Sequence, residues 1–144
     1  MSKLTLKIIT PEKVILSEEA DQVTMMTTTG EITVLPHHIP LVTTLTPGEL
    51  RYLQDGTEKY FAVSGGFAEI KADNTLSILA DTAEIAEAID LKRAEEAHAR
   101  AVKTMEESRN KEDVDFVGLQ SATERALNRV RVGNKYRKLP PVQK

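Results

Sequence analysis

Ile89-Asp90-Leu91-Lys92-Arg93-Ala94-Glu95-Glu96-Ala97-His98-Ala99-Arg100-Ala101-Val102-Lys103-Thr104 is the stretch where the chain changes period. Ala94, Ala97 and Ala101 recur at i, i+3 and i+7, which places them on one narrow helical stripe. Asp90 is positioned to cap that helix, its carboxylate accepting from the open N–H groups of the first turn. A stripe of methyl groups lets a second helix approach closely, yet each contact buries little. A facing alanine contributes about 0.8 kcal/mol, against roughly 1.5–3 kcal/mol for a buried Leu, Ile or Val. The pattern therefore predicts a helix pair that docks without being locked.

Upstream of this stretch the period is two. Leu4, Leu6 and Ile8 alternate with Thr5, Lys7 and Ile9 until Pro11. Short apolar runs follow at Val14–Leu16, Val23–Thr28, Ile32–Leu35 and Leu41–Leu45. Pro47-Gly48 reads as a turn into Glu49–Leu53, and Asp55-Gly56 as a two-residue hairpin into Lys59–Val63. Gly65-Gly66 separates that run from Phe67–Ile70, and Ala72-Asp73-Asn74 turns into Thr75–Ala80. This spacing predicts an antiparallel β-sandwich or flattened barrel of nine or ten short strands.

Downstream, the first helix is expected over Asp90–Ser108 and a second from near Asp115 to Val132. Gly133-Asn134 would be its C-terminal stop. Phe116, Leu119, Thr123, Ala126, Leu127 and Val130 form the expected inner stripe of the second helix. The polar connection Arg109–Asp113 implies an antiparallel helical hairpin, and Tyr136–Lys144 a tail. The division is thus 1–86 for the sandwich and 87–144 for the hairpin.

The 144 residues, 40% of them apolar, suit a soluble domain with an appendage. No run is long enough to span a bilayer, and the N-terminus lacks the apolar core of a signal peptide. Without cysteine there is neither a disulfide nor a thiolate metal site. The net charge of −3 hides an asymmetry. Residues 1–118 carry 12 basic and 21 acidic groups, net −9, and residues 119–144 carry 7 basic and 1 acidic, net +6. A basic end of this kind suits an acidic partner or a solvated tail equally.

His37-His38 has no acidic residue or cysteine at ligand spacing, and in a strand the two rings would point to opposite faces. An exposed contact loop is expected there, not a metal site. Ser64-Gly65-Gly66 lacks the G-x-S-x-G elbow of a nucleophile, and no phosphate-binding P-loop pattern exists. Arg93 and Arg100 lie two helical turns apart, and Arg125 and Arg129 one turn apart. Folding of the hairpin would let these four guanidiniums converge on phosphate oxygens. Ordinary pairing with Glu96 and Glu124 on solvated faces explains the same spacing.

Three ordered segments carry a family resemblance. Gly30-Glu31-Ile32-Thr33-Val34-Leu35-Pro36-His37-His38-Ile39-Pro40-Leu41 resembles the GE-x-G-I-L-P-x-H-x-P-L segment of the epsilon subunit of F-type ATP synthases. Val63-Ser64-Gly65-Gly66-Phe67 and Leu79-Ala80-Asp81-Thr82-Ala83 match two further signatures in family order. Thr33 departs from the glycine common in the family, which bears on local backbone geometry. The resemblance runs from Leu4 to Val132.

The resemblance implies a ten-stranded sandwich followed by a two-helix hairpin. It also implies a central-stalk rotor subunit that performs no chemistry, couples proton transport to ATP synthesis and restrains ATP hydrolysis. Its implied partners are the gamma subunit, the c-ring through a loop holding Glu31 and His38, and the alpha/beta catalytic head when the hairpin extends. No nucleic acid, catalytic residue, metal or required cofactor is implied. The location would be peripheral, on the cytoplasmic face of a bacterial cell membrane. Some members bind ATP as a regulatory ligand through an [IL]-D-x-x-R-A motif, complete here as Ile89-Asp90-Leu91-Lys92-Arg93-Ala94. By that resemblance Ile89 and Asp90 would read adenine, Arg93 and Arg100 would contact phosphate or ribose, and Val42, Glu84, Arg125 and Arg129 fall on matching positions. The rivals are a free-standing ligand-binding sandwich that dimerises through its helices and a small metal hydrolase built on His37-His38.

Overall fold

Leu4, Leu6 and Ile8 point into the core and their neighbours out, so strand β1 (Leu4–Ile9) forms as its alternation dictates. The computed structural model describes residues 2–108 and 116–138. After β1 come β2 (Val14–Ala20), β3 (Gln22–Thr27), β4 (Gly30–Val34), β5 (Leu41–Gln54), β6 (Thr57–Ile70), β7 (Thr75–Ala80) and β8 (Ala83–Ile85). A short 3-10 turn, Ala86–Ala88, leads to helices α1 (Leu91–Ser108) and α2 (Phe116–Lys138). The connection at 109–115, the segment beyond Lys138 and the side chains of residues 116 and 136–138 lie outside the described residues.

The strands hydrogen-bond in the order β2-β1-β7-β6-β5-β3-β4, with β8 on β6. Two strands are twice the expected length. Pro47-Gly48 does not turn the chain, and Gly65-Gly66 does not end a strand: β5 and β6 each run 14 residues and pair along their length. Counting their halves separately recovers the ten segments of the expected sandwich. One layer holds β2, β1, β7 and residues 66–70 and 41–45; the other holds β8, residues 57–64 and 47–54, β3 and β4. One core unites residues from both layers, including Leu6, Ile8, Val23, Leu50, Phe61, Ile70 and Ile78.

Local chemistry explains how one strand serves both layers. In β6 the core-facing residues are Phe61 and Val63 before the glycines but Ala68 and Ile70 after them. The chain therefore changes face at Gly65 (φ +99°) and Gly66 (φ +131°), conformations open to glycine. At Gly66 an added Cβ would lie 2.0 Å from the Leu79 carbonyl oxygen. In β5 the matching point is Pro47-Gly48, where the ladder to β3 jumps from Thr24↔Arg51 to Thr27↔Leu45. Pro47, which has no N–H to donate, sits in that break.

Other turns follow their residues. Asp55 (φ 50°) and Gly56 (φ +83°) close the β5–β6 hairpin, and Asn74 (φ 65°) closes β6–β7. Thr33 sits in the regular β3–β4 ladder opposite Thr24, their hydroxyls 2.9 Å apart, so its substitution for glycine introduces no turn. The sandwich is not wholly antiparallel: β1 and β7 run parallel. The whole intervening chain serves as the long crossover that parallel pairing needs.

Candidate functional site

The β6 residues Tyr60, Phe61, Ala62 and Val63 are all buried, because their strand is covered on both faces. Phe61 and Val63 face the sandwich core, while Tyr60 and Ala62 face the hairpin. There they meet Ala86, Ile89, Ala94 and Val132 in a second, smaller apolar cluster. Helix α2 lies on β5 and β6, and α1 packs along α2.

Asp90 caps α1 as its position predicts: its Oδ1 accepts from the Arg93 N–H at 3.2 Å, and its carbonyl accepts from Ala94 at 2.9 Å. Ala94 is fully buried, Ala97 and Ala101 half-buried. Gly133 is not a helix stop, since α2 continues to Lys138. Its missing side chain makes room instead: a Cβ there would lie 2.7 Å from Leu91 Cδ2 and 3.2 Å from Ile89 Cγ2. The glycine thus lets α2 close onto the start of α1. Residues 136–138, expected in the tail, belong to the same helix.

Three polar groups of α2 reach the sandwich. Asn128 donates to the carbonyls of Gly48 and Val63. Arg129 forks onto Glu84 of β8, with Nε to Oε2 at 2.7 Å and Nη2 to Oε1 at 3.1 Å. Lys135 reaches Glu49 at 2.9 Å and lies 5.6 Å from the centre of the Tyr60 ring. Glu49 also meets Arg51, which in turn meets Glu31, each at 3.4 Å.

A cleft of about 470 Å³ opens between β6, β8 and α2. Val63, Ser64 and Thr82–Glu84 form its strand side, and Arg125, Asn128 and Arg129 its helix side. The Glu84 hydrogen bonds raise the pKa of Arg129 above the ordinary arginine value against the cost of burial, and the charges of Glu84 and Asp90 add to the rise. Arg125 is exposed and makes no ion pair among the described residues. The Ser64 hydroxyl accepts from the Thr82 N–H at 2.9 Å, which ties it to the strand edge. The cleft thus offers two guanidiniums, one carboxylate and backbone edges, groups whose chemistry suits an anion.

The sequence-derived residues divide by position. Glu84, Arg125 and Arg129 line the cleft. Asp90 acts on Arg129 through its charge, and Ile89 and Ala94 are buried in the adjoining cluster. Arg93 and Arg100 are exposed on α1 and outside the cleft lining. Val42 is 67% exposed on the outer face of the layer away from the hairpin. Glu31 is the second residue of β4, in the strand and not in a loop, and His37 (φ 64°) and His38 stand in the turn after that strand. Asn128, Gly133, Lys135 and Glu49 were missed; the one signal for Asn128 was an amide interrupting a helical run of Ala, Leu and Val.

Comparison with known proteins gives a consistent picture. Residues 3–86 match the family described as ATP synthase, Delta/Epsilon chain, beta-sandwich domain, and residues 87–134 its long alpha-helix domain. The chain is 45% identical over 129 residues to the ATP synthase epsilon chain of Nitratidesulfovibrio vulgaris, covering 90% of this chain and 94% of that one. It is 45% identical over 111 residues to that of Herpetosiphon aurantiacus, covering 77% and 81%. A chain of the Euglena gracilis mitochondrial ATP synthase superposes with a TM-score of 0.73 at 25% identity, covering 86% of this chain and 77% of that one. One from the Tetrahymena thermophila central stalk and c-ring gives 0.60 at 19% identity, covering 94% and 96%.

Proposed function

Because the chain belongs to the ATP synthase epsilon-chain family, we propose that it is a central-stalk subunit whose helical hairpin is held against the sandwich by ATP. An epsilon chain is a stalk component and not the catalytic one, so the question is how it couples and regulates. The free-standing binding module and the metal hydrolase are set aside, since family and relatives match through both halves.

One observation carries the ATP reading. The cleft holds Arg125 without an acidic partner among the described residues, beside Arg129 on the edge of the sandwich. Both guanidiniums stand on α2, so a polyphosphate favours the docked helix by meeting, at the same time, the sandwich side of the cleft at Ser64 and Thr82–Glu84. Ligand binding then stabilises the docked form by RT ln(1 + [L]/Kd), about 2.7 kcal/mol at a hundredfold excess over Kd. Arg93 and Arg100 would join by swinging across from α1.

The partners follow from exposed surfaces. Phe67 and Leu79 face each other across β6 and β7 on the outer face, and Val42 shares it. Such an apolar sheet face suits a partner helix, here assigned to the gamma subunit. The turn of His38 and the exposed Ile39, at the opposite end of β4 from Glu31, is assigned together with Glu31 to the c-ring. The basic segment 119–144 is assigned to acidic surfaces of the alpha/beta head, where the extended hairpin restrains hydrolysis while the rotor couples proton flow to synthesis. Among the described residues no helix is long and apolar enough to cross a membrane, which accords with peripheral attachment at the cytoplasmic face of the cell membrane.

Calorimetry of the purified chain with ATP tests the ligand reading. Arg125→Ala and Arg129→Ala should each weaken binding at least tenfold while the sandwich stays folded. Absence of heat at millimolar ATP in the parent chain would refute it and leave the stalk assignment intact.

A further inference from the structure

We propose that Asn128 is the positioning residue that fixes where α2 lands on the sandwich. Its side chain is buried at the centre of the interface, and its Nδ2 donates to Gly48 O at 3.1 Å and to Val63 O at 3.2 Å. These two carbonyls belong to residues paired directly across β5 and β6, at the bend where the strands change layer. One amide nitrogen has two protons, and here both are spent on a single cross-strand pair.

The apolar contacts of α2 supply little register of their own. Against the sandwich Ala126 and Val132 are small, and small residues pack acceptably when a helix shifts along its axis. The amide does not tolerate such a shift. Sliding α2 would bury the Asn128 amide without its two acceptors, at a cost. A buried asparagine sets coiled-coil register on the same principle. In the docked register Arg129 reaches Glu84 and Arg125 faces the cleft. The role of Asn128 therefore concerns docking geometry and does not depend on nucleotide binding.

The test uses the full chain without ligand and two measurements. Hydrogen exchange at α2 amides reads docking, with β1 amides as the control for sandwich folding. A double-mutant cycle of Glu84→Gln and Arg129→Gln, run with and without Asn128→Leu, reads position. Asn128→Leu keeps the volume but removes both donors. We expect α2 exchange to accelerate on the order of tenfold or more, with β1 unchanged, and the Glu84–Arg129 coupling to vanish. Should the leucine variant also speed β1 exchange, Asn128→Ala, which admits water to the carbonyls, is read by the same two criteria. Parental exchange at α2 would overturn the proposal. So would faster exchange with the coupling intact, because Asn128 would then add strength without setting position.

Discussion

The guanidinium of Arg129 and the carboxylate of Glu84 form a two-point fork between α2 and β8, both about one-third exposed. Fork geometry distinguishes this pair from the single-contact ion pairs elsewhere, such as Lys103 with Glu107 on α1 at 3.9 Å. Arg129→Lys keeps the charge but loses the fork. It should loosen hairpin docking by about 1 kcal/mol, with Glu84→Gln similar. Thermal unfolding of the helices, followed by circular dichroism, checks both.

Gly133 sets two effects against each other. Alanine favours a helix interior by about 1 kcal/mol over glycine. Its methyl group would press on Leu91, whose side-chain end can turn aside, and on Ile89, which is fully buried and has nowhere to go. Overpacking costs about 1–3 kcal/mol. Gly133→Ala should therefore weaken docking by no more than about 2 kcal/mol, whereas Gly133→Val should lose it with the helices still formed, as small-angle scattering and circular dichroism together would report.

Tyr60 gives the docked state an alkaline limit. Burial, reinforced by its hydrogen bond to Glu58, pushes its pKa up to about 12. A phenol whose folded pKa lies above the unfolded value of about 10 stabilises the fold fully below pH 10. That contribution is lost as pH climbs towards 12. Docking measured by hydrogen exchange should fall across this window, and Tyr60→Phe should flatten the fall while removing one late phenolate step from the absorbance titration.

Asn74 clasps three segments. Its Nδ2 donates to Lys3 O at 2.8 Å, its Oδ1 accepts from the His37 N–H at 2.7 Å, and its own φ is 65°. Asn74→Gly should restore the backbone freedom but not the clasp, so both Asn74→Ala and Asn74→Gly should free the His37-His38 turn. A loss of about 1–2 kcal/mol is expected, read as a lower sandwich melting midpoint and faster exchange at His37.

The sequence carried local geometry well and neighbour identity poorly. Leu4, Leu6 and Ile8, the Asp55-Gly56 hairpin and the Asp90 cap each follow from interactions within a few residues. Pro47-Gly48, Gly65-Gly66 and Gly133-Asn134 share the residues of turns and helix stops. Their use inside continuous elements is decided by what approaches them: β3, Leu79, and Leu91 with Ile89. The arginines divide the same way. Arg93 and Arg100 follow the helical repeat, but they precede Ala94 and Ala101 by one residue, about 100° around the axis. Packing of the alanine stripe therefore leaves both exposed. Arg125 and Arg129 lie on the helix that touches the sheet, which no spacing rule could tell.

The shared strands give the sandwich a mechanical character. Two separate sheets slide over one another by exchanging side-chain contacts, a soft motion. Here β5 and β6 pass through both layers side by side, paired from Leu41↔Ile70 to Gln54↔Thr57. Relative shear of the layers must bend two covalent chains and tear the ladder between them. A body braced in this way resists internal slip and twists as one piece.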